Sequence, residues 1–185
     1  MTSHWLFQVT LLAVVLFWLV GAYNRLLRLR GAVGTAWVQL LGALGKRSEA
    51  MAAVIDAVRE PLASEAATLQ ALADADAQVL AAAEGVRHSR GRIADVSPWA
   101  GAEAALSSPA ARLRALIELQ PALLGDPAHG PKLTPALAAW REAEPRLQFA
   151  RQGFNDAVDT YNKAIHQWPT RIVSELFRFR PAART

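Results

Sequence analysis

Histidine is the side chain best suited to metal binding or to proton transfer near neutral pH, and this chain has four: His4, His88, His129 and His166. A metal site on helices needs ligands at spacings such as His-x-x-x-His or Glu-x-x-His, and none of the four stands in such a pattern. Cysteine is absent, which removes disulfides, thiolate nucleophiles and Cys-based zinc sites. Asp74 and Asp76 lie two apart, so on a helix they point to different faces and read as solvated surface carboxylates rather than an acid–base pair. No serine sits in a Gly-x-Ser-x-Gly elbow. Gly42-x-x-Gly45-Lys46 lacks the spacing of a phosphate-binding loop and falls inside a helical pattern. The expectation is a protein that is not an enzyme, with no catalytic residues, no metal site and no cofactor.

The polar residues with the most regular placement are Asn155 and Asn162, seven apart and each directly after an aromatic. They flank an apolar stripe of Phe154, Val158, Tyr161, Ile165, Trp168 and Ile172, whose 4-3-4-3-4 spacing is that of a helix buried along one side. Two readings are open. The asparagines are polar positions beside a core stripe, or their carboxamides bond across helices and set register, as buried Asn does in coiled coils.

The elements that carry these residues are helical throughout. Leu26, Val33, Trp37, Leu40, Leu44, Met51, Val54 and Val58 recur at three- and four-residue steps with Arg30 and Arg47 on the same seam, and Leu62, Leu69, Leu72, Val79 and Leu80 prolong the stripe to about Ala83. Pro61 should kink this helix or begin a new segment. Gly31, Gly34, Gly42 and Gly45 weaken its start, by up to ~1 kcal/mol each relative to Ala, or else serve close helix contact. Residues 85–109 read as a loop with a short helix from Trp99 to Leu106 and basic residues at Arg87, Arg90 and Arg92. A compact helix follows from Ala110 to about Leu119, then a Gly/Pro-rich connector. The last long helix runs from about Lys132 to Trp168, with Pro145 either kinking it or dividing it.

Ahead of all this, Trp5 to Ala22 is eighteen residues without a charge. As a helix it spans ~27 Å, close to the ~30 Å hydrocarbon core of a bilayer. Trp5, Trp18 and Tyr23 lie towards its ends, where aromatic rings favour the interface. A cleaved signal peptide and a buried core helix are the alternatives. Against the signal peptide, the segment before the apolar run carries no Lys or Arg, and the run exceeds the usual ~7–15 residues. Net charge is +4 and unevenly placed, with Arg25, Arg28, Arg30, Lys46 and Arg47 after the apolar run and Arg171, Arg178, Arg180 and Arg184 near the end. Basic groups beside aromatics suit a membrane surface. No nucleic-acid partner is expected, since no groove-reading motif accompanies the charge. The positive-inside rule places the domain after the anchor in the cytoplasm.

These residues also resemble the LemA family. Its first helix carries Tyr-Asn, Leu-x-Arg, a spaced Val and Ala-Trp, matched here by Tyr23-Asn24, Leu27 and Leu29 with Arg30, Val33 and Ala36-Trp37. Its last helix is matched by Arg146-Leu147, Ala150-Arg151, Phe154-Asn155, Tyr161-Asn162 and Trp168-Pro169, and its Phe-Gly-Phe finish by Phe177-Arg178-Phe179. Leu113, Leu116, Glu118 and Pro121 resemble its third helix. The chain departs from the pattern at Leu41, at Met51 to Val54 and at Glu60-Pro61, as a divergent member would. The resemblance implies an antiparallel helical bundle on a membrane stalk and no particular biochemical activity.

The expected organisation is an all-α chain: a short tail (1–4), a transmembrane helix (5–22), a bundle domain (23–181) and a C-terminal tail (182–185). It is expected to be single-pass in a bacterial inner (plasma) membrane. Its partners would be the lipid bilayer and a protein, either another chain or a second copy. If the first helix runs from Tyr23 to Ala83 it reaches ~90 Å, and the last helix returns ~55 Å of that. The segment holding Trp168, Arg171, Phe177, Arg178, Phe179 and Arg180 then comes back towards the membrane, either to contact lipid or to cap the bundle.

Overall fold

The computed structural model describes residues 2–88 and 96–185, and the chain is 86% helical with no strand among them. Six helices follow one another: α1 (Thr2–Val58), α2 (Ala66–His88), α3 (Ser97–Glu118), α4 (Ala122–Gly125), α5 (Gly130–His166) and α6 (Thr170–Leu176), with a 3-10 turn at Ala63–Glu65 between α1 and α2. Low β-branched content and abundant Ala and Leu favour this, because such side chains lose little freedom in a helix.

α1 has two parts with opposite environments. From Trp5 to Trp18 its large side chains stand clear of the rest of the molecule, Phe7 at 68% and Phe17 at 79% exposure, while Leu19 already packs against the core. From Ala22 onward the face of Leu26, Val33, Trp37, Leu40, Leu44, Met51, Val54 and Val58 is buried, as the spacing predicts. α5 lies antiparallel along this second part and supplies Leu133, Leu137, Trp140, Leu147, Phe154, Val158, Tyr161 and Ile165 to the shared core. Trp37 packs edge-on against Phe154 (5.0 Å between centroids) and Trp99 (5.7 Å), so Trp37 and Tyr161 are both core residues of facing helices. Each large apolar side chain so buried contributes about 1.5–3 kcal/mol.

The stripe does not continue as one rod to Ala83. Around Pro61 the chain reverses, with the Leu62 amide bonded to the Val58 carbonyl, and α2 folds back on α1 so that Ser48 meets Asp76. α3 then runs antiparallel to α2, bringing Arg112 to Glu65 (3.1 Å). Two helical hairpins, α1/α5 and α2/α3, therefore face each other across one core. The reversal at Pro61 shortens the bundle part of α1 to Ala22–Val58, ~55 Å at 1.5 Å per residue, which matches α5. The 90 Å reach expected from an unbroken stripe is thus corrected.

Other local expectations change with it. α3 is one helix that passes through Pro109, so the short and compact helices expected at 99–106 and 110–119 are a single element. α5 likewise continues through Pro145, which is exposed, so the carbonyl one turn back that loses its helical donor lies on the open side of the helix. Arg90 and Arg92 lie outside the described residues. A Cβ added at Gly31, Gly34, Gly42 or Gly45 would meet nothing within 4 Å, so these glycines mediate no close helix contact. Gly130 does: a Cβ there would collide with the Leu124 carbonyl, where α4 tucks under the start of α5.

After α5 the chain turns at a cis Trp168–Pro169 bond into α6, which packs beside α1 at its Ala22 end. Arg178 closes α6 with φ of 54°, a left-handed conformation that favours glycine, the residue the family resemblance puts at this position. The segment set apart as a tail, 182–185, then lies along α5 with Ala182 buried and the Thr185 backbone hydrogen-bonded.

Candidate functional site: an interior ion pair and an asparagine clamp

Arg47 occupies an apolar seam position of α1, and burial of a guanidinium there requires a partner. α3 supplies Glu103, which takes two bonds from Arg47, Nη1 to Oε2 at 2.9 Å and Nη2 to Oε1 at 2.6 Å. The pair is almost closed to solvent, with side chains 5% and 17% exposed. Burial works against the charge of Arg47, but Glu103, with Glu144 and Asp76 farther off, raises its pKa above the ordinary value. Arg47 is therefore a core residue ~38 Å along α1 from Ala22, and it leaves the basic cluster that the sequence placed near the membrane.

Next to this pair the Ser48 hydroxyl donates to Asp76, whose side chain is buried. The reading of Asp76 as a solvated carboxylate is corrected: α2 packs that face onto α1, and a neighbouring serine satisfies one oxygen while the other has no partner. A small cavity of about 220 Å³ borders Arg47, Glu103, Arg114, Trp140 and Glu144. Arg114 spans it, bonded to Glu144 at 2.8 Å and stacked 4.3 Å over the Trp140 ring. Among the described residues no group of three or more His, Asp or Glu side chains is placed to hold a metal ion. The charges here neutralise one another across helices, which locks hairpin to hairpin.

The second site is built on α5. Asn162 Oδ1 accepts the Ala182 amide (2.8 Å) and its Nδ2 donates to the Ala182 carbonyl (2.9 Å). Asn155 repeats the arrangement at Thr185, with its Oδ1 accepting the amide (2.9 Å) and the hydroxyl (3.1 Å) and its Nδ2 donating to the carbonyl (3.2 Å). Tyr161 donates its hydroxyl to the Arg180 carbonyl (2.9 Å); burial raises its phenol pKa, partly countered by the nearby charge of Arg30. Seven residues of helix rise ~10.5 Å and three residues of extended chain ~10 Å, so asparagines seven apart meet backbone amides three apart. The asparagines thus neither idle on the flank nor pair with another helix; they hold an extended strap antiparallel to α5. Sequence reasoning could not name their partners, because a backbone amide leaves no residue signature.

The other motif residues are distributed around these two sites. Arg151 bonds Thr185 Oγ1 (3.3 Å) and lies 5.2 Å over Trp99, while Phe154 and Trp37 are core. Tyr23 is half-buried against Phe177 (4.7 Å) and Phe179 (5.9 Å). Asn24 is exposed, and Pro169 is half-buried. Trp168 (77% exposed), at the turn before α6, and Ile172 and Leu176 on α6 are open to solvent, Arg171 pairs with Glu175 (2.7 Å), and Arg178 and Arg180 are exposed. The sequence did not single out Ser48 or Glu103, and it offered Asp76 only as a solvated carboxylate and His129 only as an isolated histidine; the seam position of Arg47 was the one signal that a buried carboxylate must face it.

α1 is also a helix long and apolar enough to cross a membrane, with none of its most apolar stretch buried. No curated protein matches the chain. The family model described as the LemA family matches residues 36–184, from the Ala36-Trp37 pair through the asparagine-held strap, and the chain belongs to the LemA family.

Proposed function

We propose that this chain is a single-pass, membrane-anchored helical scaffold whose bundle binds another protein and carries out no covalent chemistry. The observation that carries the reading is the boundary at Ala22: apolar side chains bare on one side of it, a closed core on the other. An uncovered apolar helix of ~27 Å is costly in water and stable in hydrocarbon. Several side chains capable of chemistry are engaged structurally, among them Arg47 with Glu103, Ser48 with Asp76 and His129 with Asp126. The outer surface is the working part in this reading, and it presents large apolar residues such as Phe149 (80% exposed) and Leu119 (78% exposed). A photocrosslinking amino acid in place of Phe149, activated in intact membranes, should give a discrete adduct with a protein. Adducts with lipid alone, or none, would remove the scaffold reading.

A specific observation favours a second, compatible reading, contact with the membrane surface through α6. Ile172 and Leu176, one helical turn apart on α6, and Trp168 at the turn before it are exposed beside the end of α1 where the bare segment begins, with Arg171, Arg178 and Arg180 around them. Because the chain lacks cysteine, Ile172→Cys can be labelled uniquely with a fluorophore in the full chain in lipid nanodiscs. Nitroxide-bearing lipid should quench it; a fluorophore unaffected by that lipid would mean that α6 stands off the bilayer.

A further inference from the structure

The charge of the chain is not spread evenly over the bundle. The Trp37–Phe154 contact marks a level on the α1/α5 hairpin. On its Ala22 side, residues 22–37 and 154–185 carry eight Lys or Arg against three Asp or Glu, a net +5, while all other residues together carry −1. Two of those three acidic groups are engaged, Glu175 with Arg171 at 2.7 Å and Asp159 with Arg184 at 3.4 Å. Arg25, Arg28, Arg178 and Arg180 are exposed, and none of them pairs with a carboxylate among the described residues.

These four encircle the point where α1 loses its cover. Phe177 and Phe179 rest on Tyr23, 4.7 and 5.9 Å between ring centroids, which sets Arg178 beside that residue. Arg180 follows, its carbonyl accepting the Tyr161 hydroxyl at 2.9 Å. At 3.6 residues per turn, Arg25 and Arg28 stand about 140–160° round α1 from Tyr23, on its opposite side. Along the axis they lie ~4.5 and ~9 Å beyond Ala22, within side-chain reach of a headgroup layer that adds about 5–8 Å to each face of the hydrocarbon core.

Arg178 supplies an independent observation. Its φ of 54° strains a Cβ, yet its guanidinium is exposed and unpaired, so nothing within the fold offsets the steric cost. A guanidinium matches phosphate oxygens bidentately, and the bare apolar helix determines which phosphates come within reach.

We propose that Arg25 and Arg28 of α1 and Arg178 and Arg180 of the C-terminal turn form a cationic collar that binds the phosphates of anionic lipids and holds those lipids around the base of the bundle. The proposal rests on the anchored reading and goes beyond apolar contact through α6, because it makes the protein selective for headgroup charge.

The test reconstitutes the full chain into phosphatidylcholine vesicles that carry a trace of spin-labelled phosphatidylglycerol or spin-labelled phosphatidylcholine. Electron paramagnetic resonance reads the fraction of each probe slowed at the protein surface. The anionic probe should associate about threefold more strongly than the zwitterionic one. Arg25→Gln, Arg28→Gln, Arg178→Gln and Arg180→Gln together should bring that ratio to about one, with helical circular dichroism unchanged. The same loss of charge beyond the Trp37–Phe154 level, through Arg59→Gln, Lys132→Gln, Arg141→Gln and Arg146→Gln, should leave the ratio where it was. Arg178→Gly alone should lower the ratio while raising the unfolding midpoint, a split that a purely structural role would not produce, and it decides the matter if the fourfold variant loses its helix. The collar is overturned by equal association of both probes with the unaltered chain, by a ratio that its substitutions do not move, or by the same fall in the far-end variant. Glycerophosphoglycerol, the headgroup without its acyl chains, should not displace the anionic probe; displacement would make the ligand a soluble phosphodiester and overturn the lipid assignment. If neither probe is slowed, the anchored reading falls together with the collar, whereas equal slowing of both removes the collar and leaves the anchor standing.

Discussion

A buried charge has consequences out of proportion to its size, and Arg47 is the clearest case. Its bidentate pair with Glu103 sits where water is excluded, so removing one partner strands the other. Glu103→Ala is expected to cost about 3–5 kcal/mol in denaturant unfolding, whereas replacing the pair by Met and Leu should cost far less or even stabilise. A loss below about 1 kcal/mol in the single variant would mean that water reaches the pair. Arg178 makes the opposite kind of residue argument. With φ at 54° it pays a steric penalty for its Cβ that glycine does not, and its side chain is exposed. Arg178→Gly should therefore raise stability by about 1 kcal/mol, visible as a higher unfolding midpoint. A lower midpoint would show that the guanidinium contributes more than the strain it carries.

At the scale of elements, the joint between the end of α1 and the start of α5 depends on His129. Its Nδ1 lies 3.1 Å from Asp126 and its Nε2 3.5 Å from Glu60, and the hydrogen bond to Asp126, with a lesser one to Glu60, raises its pKa above the usual 6.5. A group whose pKa is higher in the folded state adds stability that is complete below its unfolded value and fades as pH rises through the folded one. Unfolding midpoints should therefore fall slightly from pH 6 to pH 8, and His129→Gln should flatten that decline. Asp126 acts in the other direction at lower pH. The Ala128 amide and then His129 hold its pKa below the ordinary 3.8, so its contribution is present above that value and is lost as pH falls through the lowered one. A slope between pH 6 and pH 8 that is the same in both proteins would dissociate His129 from the joint.

Across the whole molecule, the equal lengths of α5 and the bundle part of α1 decide where the chain's two ends of interest meet. α6 and the Phe177–Phe179 turn arrive at Tyr23, beside the bare apolar segment, because the reversal at Pro61 leaves no overhang. With no Lys or Arg ahead of Trp5 and Arg25, Arg28 and Arg30 just after the apolar run, the positive-inside rule predicts that the bundle faces the cytoplasm. A reporter active only in the cytoplasm, fused after Thr185, should be active. Activity from a reporter that works only on the opposite side would reverse the orientation and with it the charge argument.

Periodicity and composition were sufficient for the helical class, the apolar segment, the buried faces of α1 and α5 and the antiparallel return, because each follows from the spacing of apolar side chains within a single stretch of chain. The family was legible for a related reason: its motif residues are the ones that fix helix faces, as Trp37, Phe154 and Tyr161 do in the core. Glycine and proline misled where the spacing was ambiguous. Four glycines left open close contacts that the fold does not use, and Pro109 and Pro145, half-buried and exposed respectively, suggested breaks that the helices pass through. What only the tertiary structure decided are pairings between distant parts of the chain: Arg47 with Glu103, Ser48 with Asp76, and two asparagines with the backbone at Ala182 and Thr185. A charge or carboxamide in sequence declares that it needs a partner, but the fold alone determines which distant group stands within hydrogen-bonding reach.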